Sequence, residues 1–384
     1  MAERAKRAKK VKHFYDYSLL AAIIFLCVFG LIIVYSSSSY SAELKLGDPL
    51  YYFKRQGLIL AASFVVMIFV SKLDYHLYIK LTPLAWVMSI VMMCLTNFTS
   101  LGIELNGKKR WLGVTETLSF QPAEFVKIAI ILTMAALISK IGRKIDTGRG
   151  IILAMALALP PFALVAMNNL SSGIIIAGIC FLVCFVGSKN KGIYLFGVAL
   201  VLTLAFLFVQ FGENMVEMGI LQDYQLDRIR VWQNPEAYPQ GGGWQVLQGL
   251  YAIGSGGLFG RGLGQSIQKL GFIPEAMNDM VFSIICEELG LFGALCVILL
   301  FLFMIWRFMI IANNAPDLLG ALIVVGVMAH IAIQVILNVA VVTNTIPNTG
   351  ISLPFISYGG TSVAFLMAEM GMVLGVSNRI TLEQ

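Results

Sequence analysis

Charge is scarce in this sequence. Of 384 residues only 12% are Asp, Glu, Lys or Arg, 58% are hydrophobic, and the mean hydropathy is +0.84; soluble domains carry about 25% charged residues. That balance excludes a soluble globular protein. The six cysteines, Cys27, Cys94, Cys180, Cys184, Cys286 and Cys296, all fall in apolar runs with no paired spacing in a polar loop. Neither a disulfide framework nor a zinc site is indicated, and Cys180 and Cys184, which share a helix face, read as packing residues. No GxGxxG follows a strand, and GxxxxGKS/T, HExxH and GxSxG do not occur. Nucleotide-driven transport and the common hydrolase sites therefore lack support.

Long apolar runs are abundant; residues 19–34 and 291–306 carry no charge at all. Spans are predicted at 17–35, 57–71, 77–96, 124–140, 150–168, 172–187, 192–211, 281–311, 318–342 and 356–376. The expected fold is all-α: one polytopic membrane domain over 1–384 with ten transmembrane helices. Residues 1–16 form a basic N-terminus, with six Lys or Arg in the first twelve positions and no small-residue cleavage site, which reads as a retained first helix. Ten spans put both termini on one side. That side holds sixteen Lys and Arg against ten on the other, so the termini are expected in the cytoplasm. Topology explains the net charge of +6 better than nucleic-acid binding does.

Seven of the ten outer cations lie in 97–123 and 212–280. The second segment contains 13 of the 36 glycines and is expected to be a long extracytoplasmic loop before the eighth helix. Long loops in compact proteins are usually functional. It closes on Pro274-Glu275-Ala276-Met277-Asn278-Asp279 and enters the eighth span. A helix beginning near Asp279 would place Asp279, Ser283 and Glu287 on one face with Glu288 beside it, an expensive set of carboxylates near a membrane. The alternative is a helix cap for Asp279 and salt bridges for the two glutamates. Glu124 and Lys127, at i, i+3 on the fourth span, suit an interior ion pair, structural or functional. His330, Gln334 and Asn338 form a polar stripe on the ninth, read as interhelical hydrogen-bond glue. Outer basic residues stand beside aromatic ones: Lys108, Lys109 and Arg110 before Trp111, Arg228 and Arg230 before Trp232, then Arg261 and Lys269. They are interfacial anchors or a diphosphate cradle.

These residues resemble the SEDS family (shape, elongation, division and sporulation), which includes FtsW and RodA. The matching stretches are Asn106-Gly-Lys-Lys-Arg-Trp111, Ser119-Phe-Gln-Pro-Ala-Glu124, Gly260-Arg-Gly-Leu-Gly-Gln-Ser266, Pro274-Glu-Ala276 through Asp279, Glu287-Glu-Leu-Gly290 and Ile351-Ser-Leu-Pro-Phe-Ile-Ser-Tyr-Gly-Gly360. The resemblance implies a peptidoglycan glycosyltransferase that polymerises lipid II at the outer face of the bacterial cytoplasmic membrane. It also implies a class B penicillin-binding protein as partner, with divisome proteins if the role is septal. The family's essential aspartate falls on Asp279. Met277-Asn278 stands where His-Thr is common, which argues against a His-assisted mechanism. The Gly-Arg-Gly-Leu-Gly run followed by Ser266-Ile-Gln-Lys-Leu270 is closer to the FtsW and sporulation branch than to RodA, with an elongation role as the alternative.

For the implied reaction, Asp279 is the candidate base, and Lys109, Arg110, Arg228, Arg261 and Lys269 are candidates for the substrate diphosphate. Glu124, Lys127, Glu287, Glu288, His330, Gln334 and Asn338 are expected to support the site. A divalent cation, Mg or Mn, with Asp279 as ligand would replace or assist the basic residues. No nucleotide is required, because cleavage of the diphosphate linkage drives the reaction. The lipid tails need a groove open to membrane lipid. A lipid II flippase is the rival, since Glu124, Lys127, Glu287 and His330 suit a polar path; charge gathered at the outer surface favours the polymerase. A non-catalytic scaffold is the third reading.

Overall fold

The computed structural model describes residues 12–105, 108–113, 119–217, 223–240 and 242–382. The elements run β1 (Lys12–Phe14), α1 (Tyr17–Leu46), α2 (Tyr51–Lys72), α3 (Leu77–Phe98), β2 (Gly102–Leu105), β3 (Lys108–Gly113), β4 (Ser119–Phe120), α4 (Pro122–Ile141), α5 (Gly148–Ala166), α6 (Leu170–Gly187) and α7 (Lys191–Glu217). There follow α8 (Asp223–Gln233), α9 (Gly242–Gly256), α10 (Val281–Asn313), α11 (Leu318–Val342), α12 (Thr361–Ser377) and β5 (Ile380–Leu382). Among the described residues eight helices are long and apolar enough to cross a membrane: α1 to α6, α10 and α11. Lys191–Thr203 and Thr361–Ser377 are shorter apolar segments. The chain is thus a mostly helical, polytopic membrane protein.

Local chemistry sets the helix starts. Asp16, Thr147, Asn169 and Asp317 each accept a bond from a first-turn backbone N–H of α1, α5, α6 and α11, and Pro122 opens α4 where its missing N–H costs nothing. α11 is the most deeply packed of the spans. Close packing there relies on small residues: a Cβ on Gly326 of α11 would lie 2.7 Å from Ile131 Cγ2 of α4.

α10 is broken. Gly290 has φ +65° and ψ −166°, so Val281–Leu289 forms a buried half-helix and the part beyond it presents Leu291, Phe292, Leu295, Leu299, Leu302 and Trp306 outward. The break frees backbone groups, and residues 257–262 insert to satisfy them. Arg261 and Gly262 donate backbone N–H groups to the Glu287 and Glu288 carbonyls at 3.0 and 2.9 Å, and Leu291 and Phe292 donate to Gly257 and Leu258 at 2.9 and 3.1 Å. Gly260, at φ +79°, passes so close that a Cβ would sit 2.2 Å from the Glu288 carbonyl oxygen. Residues 212–280 are therefore not the plain loop that their glycine content suggested: α7 runs on to Glu217, and α8 and α9 lie within the segment, with 218–222 and 241 outside the described residues.

β1 pairs antiparallel with β5, Lys12 opposite Leu382, so the first and last described residues lie on one face. Arg307, at the far end of α10, grips the buried Asp16 with Nε and Nη2, at 3.0 and 2.7 Å to Oδ2. On the same face Asp317 accepts from the Tyr75 hydroxyl at 2.9 Å and meets His76 Nε2 at 2.7 Å. The opposite face carries the β2–β3–β4 hairpin sheet, α8, α9 and residues 343–360. Residues 1–11, most of the expected basic N-terminus, lie outside the described residues.

Candidate functional site

The site is organised by a short run of backbone, residues 348–352, between α11 and α12. Four of its carbonyls are tied to three helices, α8, α6 and α11. The Asn348 carbonyl accepts from Arg228 Nη1 of α8 at 3.3 Å, the Thr349 carbonyl from Ser171 Oγ of α6 at 2.6 Å, the Ile351 carbonyl from Asn338 Nδ2 at 2.7 Å, and the Ser352 carbonyl from Gln334 Nε2 at 3.0 Å. Gly350, at φ +68°, turns its bare Cα toward Asp279: a Cβ there would be 3.7 Å from Asp279 Oδ2. The Asp279 carboxylate thus stands over a backbone fixed by three helices.

Asp279 precedes α10. The helix begins at Val281 with Met280 as its cap residue and no side-chain cap bond, so Asp279 is neither the first residue of a helical face nor the cap of that helix. The backbone of 277–279 is pinned by the loop that leads into α12 and by α11. Tyr358 N–H donates to the Met277 carbonyl at 2.8 Å, Ser357 Oγ to the Asn278 carbonyl at 2.6 Å, and Asn338 Nδ2 to the Asp279 carbonyl at 2.8 Å. The side chain, 8% exposed, has no cation within ion-pairing distance among the described residues, and Gln245 Nε2 of α9 approaches both oxygens at 3.4 Å. Burial, with a smaller addition from the charge of Glu275, pushes the carboxyl up from 3.8 to about 7; the Gln245 amide and nearby backbone N–H groups act in the opposite sense. A carboxyl poised there can exchange a proton at neutral pH.

Arg110 lies on β3. It donates from Nε to the Asn168 carbonyl at 3.0 Å, and burial together with the charge of Arg228 holds it below the usual guanidinium range. Two guanidiniums that feel one another form a favourable setting for an anion with several oxygens. The other predicted cations are engaged differently. Lys109 donates to the Thr99 carbonyl at 3.2 Å, closing the C-terminal end of α3. Lys269 is buried, with Nζ 2.8 Å from Glu288 and 2.9 Å from Ser36 Oγ, so the expectation that it binds substrate gives way to a structural pairing. Arg261 stays partly exposed at 3.8 Å from Glu287. Of the basic motif at 106–111, Asn106 and Gly107 lie outside the described residues.

The two glutamates of α10 hold the inserted segment rather than joining Asp279. Glu287 accepts from Ser266 Oγ and from the backbone N–H groups of Ile267 and Gln268, and Glu288 accepts from Ser36 Oγ at 2.6 Å as well as from Lys269. Deeper in the helices, Glu124 and Lys127 pair at 2.8 Å, Lys127 reaches Gln334 at 3.5 Å, Gln334 meets His330 at 2.8 Å, and His330 meets Glu369 at 2.7 Å. The predicted stripe on α11 thus joins α4, α11 and α12 and also fixes Ile351, Ser352 and Asp279. Gln245, Glu369, Ser357 and Tyr358 had no assigned role in the sequence reading. The Ile351–Gly360 run was the available signal for the last two.

A divalent ion held by protein alone asks for several converging oxygen ligands. Among the described residues no three of His, Cys, Asp and Glu converge. Asp279 fits the other common arrangement, in which one carboxylate shares Mg²⁺ or Mn²⁺ with substrate phosphate oxygens and water.

A multi-span helical frame, with a buried carboxyl raised toward neutrality before α10 and two guanidiniums held by the Asn168 and Asn348 carbonyls, defines a polytopic membrane protein with ionisable groups gathered on one face. Comparison with known proteins specifies it. A family model described as a cell cycle protein, for FtsW, RodA and SpoVE, matches residues 17–381, and this chain belongs to that family. Stage V sporulation protein E of Bacillus subtilis (strain 168) is 36% identical over 364 residues, covering 94% of this chain and 96% of the relative. The probable peptidoglycan glycosyltransferase FtsW of the same organism is 34% identical, covering 96% and 92%. Among solved structures, a chain from a peptidoglycan synthase complex that coordinates polymerization and crosslinking superposes with a TM-score of 0.76 at 25% identity, covering 94% of this chain and 97% of its own length. RodA of Thermus thermophilus shares the fold, with a TM-score of 0.68 at 24% identity over 96% of this chain and 98% of that one.

Proposed function

We propose that the chain is a peptidoglycan glycosyltransferase that polymerises lipid II, with Asp279 as its general base. The 4-hydroxyl oxygen of an acceptor sugar attacks the anomeric carbon of the lipid-linked donor, Asp279 takes the hydroxyl proton, and the bond to the diphosphate breaks with its electron pair on the departing undecaprenyl diphosphate. Sugar hydroxyls are weakly acidic, so a carboxylate that accepts a proton near pH 7 accelerates attack, typically by about 10² to 10⁴. Arg110 and Arg228 stabilise charge on the leaving group. If Mg²⁺ or Mn²⁺ takes part, Asp279 is its protein ligand, and the ion supplies neutralisation of diphosphate charge.

The observation that carries this reading is the placement of Asp279: buried, unpaired, and set over Gly350, two residues from the Asn348 carbonyl that Arg228 holds. The flippase reading drew on the membrane-depth polar residues. Each of these has a protein partner, Lys127 on Glu124, His330 on Glu369 and Glu287 on Ser266 and the Ile267 backbone N–H, which supports structural attachment over a translocation path. The eight long spans and two shorter apolar helices support ten crossings, and the excess of Lys and Arg on the face of the termini supports a cytoplasmic location for both. The Bacillus subtilis relatives support a role in septal or sporulation wall synthesis in the bacterial cytoplasmic membrane. Likeness to a chain of a peptidoglycan synthase complex supports a class B penicillin-binding protein as partner, with divisome proteins around it.

The test is purified protein with lipid II in detergent, where flipping has no meaning. Glycan strands should form with the native chain and fail to form with Asp279→Ala. Absence of polymer from native protein supplied with its partner synthase would reject the proposal.

A further inference from the structure

On the face that bears the termini, Asp146 works as a clamp. Its Oδ1 accepts from Ser188 Oγ and from the backbone N–H groups of Lys189 and Asn190, the latter two at 2.9 and 3.2 Å. The clamp holds the segment leading from α4 into α5 against the turn that follows α6. Asp146 is also the only acidic residue between Glu124 and Glu213. Its carboxylate is occupied by these bonds, while Lys140, Arg143, Lys144, Arg149 and Lys189 of the two joined segments are all exposed.

The same two helices, α5 and α6, frame a lateral groove of about 210 Å³ lined by Met155, Ala158, Leu159, Phe162, Ile176 and Cys180. Its floor is apolar, and Met155 and Leu159 are 61% and 57% exposed. Measured from the basic ends of the helices at Gly148 and Gly187, these residues lie roughly 10 to 20 Å along the axis at 1.5 Å per residue. A single leaflet contributes about 15 Å of hydrocarbon. A cation cluster at the interface with an apolar slot near the bilayer midplane, within reach of the far half of an acyl chain, matches an amphiphile with an anionic head and a hydrocarbon chain.

We infer that the 140–149 and 188–190 segments, together with the α5–α6 groove, form a binding site for an anionic glycerophospholipid, with the phosphate on the cation cluster and one acyl chain in the groove. Charge complementarity selects this occupant: a partner transmembrane helix would fill the slot and leave the cluster, five cations against the single carboxylate of Asp146, with a net positive charge, and a zwitterionic lipid would compensate it poorly. The bland alternative is that these are ordinary cytoplasmic-side cations that set topology and bind nothing in particular. The site is separate from Asp279, so its failure and that of the polymerase reading are distinguishable.

The experiment reconstitutes the full chain in nanodiscs of phosphatidylcholine with and without phosphatidylglycerol, and counts retained lipid by native mass spectrometry alongside thermal stability. A cation near the membrane surface contributes about a fivefold gain in affinity for anionic lipid. Arg143→Gln with Lys144→Gln and Lys189→Gln should therefore weaken phosphatidylglycerol retention on the order of a hundredfold. Lys72→Gln with Lys80→Gln, on the same face but outside the cluster, should leave it unchanged. Ala158→Phe, which fills the groove, should release the lipid with all charges intact, and glycerol 3-phosphate alone should not stabilise the protein. Equal retention by the triple variant and the control pair would overturn the inference in favour of generic topology. Equal stabilisation by glycerol 3-phosphate would overturn the chain site. The exposed charge variants keep all three bonds of the Asp146 clamp, which come from Ser188 Oγ and the backbone N–H groups of Lys189 and Asn190, so they test the site whether or not Ala158→Phe folds.

Discussion

Replacing Asp279 with asparagine should stabilise the protein while stopping its reaction. The carboxyl is raised from 3.8 to about 7, first by burial and then by Glu275. The folded state therefore binds this proton more tightly than the unfolded chain does. Stability from that preference is complete below about pH 4, declines as pH rises toward 7, and is gone above it. At 1.36 kcal/mol per pH unit the gap corresponds to a ceiling on the order of 4 kcal/mol. Asparagine keeps the shape and a hydrogen-bonding oxygen without charge, so the difference in stability between Asp279→Asn and the native chain should be near zero at pH 4 and widen to a plateau above pH 7. The assay is thermal unfolding in detergent across pH 4 to 9, paired with lipid II polymerisation, which should drop by at least about 10². A variant that is no more stable than native protein at pH 8 would refute the buried, unpaired carboxylate; a variant that polymerises near-normally would refute its role as base or metal ligand.

Other expectations follow from neighbouring contacts. Glu275→Gln removes a charge that raises Asp279, so the acidic limb of the polymerisation rate should move to lower pH; Gln245→Leu removes a bond to the charged form and should move it to higher pH, and an unmoved limb in both would place the titration elsewhere. Arg110→Ala should slow lipid II polymerisation by about tenfold or more, with Lys45→Ala as an interfacial control near native rate; equal small effects would reduce the outer cations to membrane anchors. Removing Glu124 or Lys127 alone leaves a buried charge unpaired and should cost about 3 to 5 kcal/mol, whereas Glu124→Lys with Lys127→Glu should recover part of it. Strictly additive effects in that cycle, read by thermal stability and activity, would deny the 2.8 Å pair.

Eight of the ten expected spans were legible in sequence because apolar runs without charge have few other uses, but their ends were not. α1 continues to Leu46 through four consecutive serines because hydroxyls such as that of Ser37 bond back to carbonyls of the same helix, here Ile33 at 2.8 Å, and so hide their polarity. α12 starts at Thr361 rather than 356, since Pro354–Gly360 is used to hold Met277 and Asn278. The break at Gly290 lies between the Glu287-Glu288 pair and the charge-free run 291–306, and only the fit of Gly260 against it reveals why both glycines are needed. The glycines of α9 suggested a loop, yet Gly256 sits there because a Cβ would meet the Cys286 carbonyl oxygen at 1.9 Å. Asp279 was legible as a carboxylate where membrane and water meet. Its surroundings were not, because Gln245, Asn338 and Gly350 come from three distant segments, and Lys109 and Lys269 look like Arg110 in sequence until their partners are known.

The most direct measurement uses sealed vesicles in which lipid II is confined to the leaflet facing the termini. A polymerase with its site at Asp279 reaches no substrate there. Glycan strands should appear only after a separate flippase or membrane disruption delivers lipid II to the opposite leaflet, and should be lost with Asp279→Ala. Rapid translocation of lipid II by the native chain alone, persisting in Asp279→Ala, would contradict the assignment.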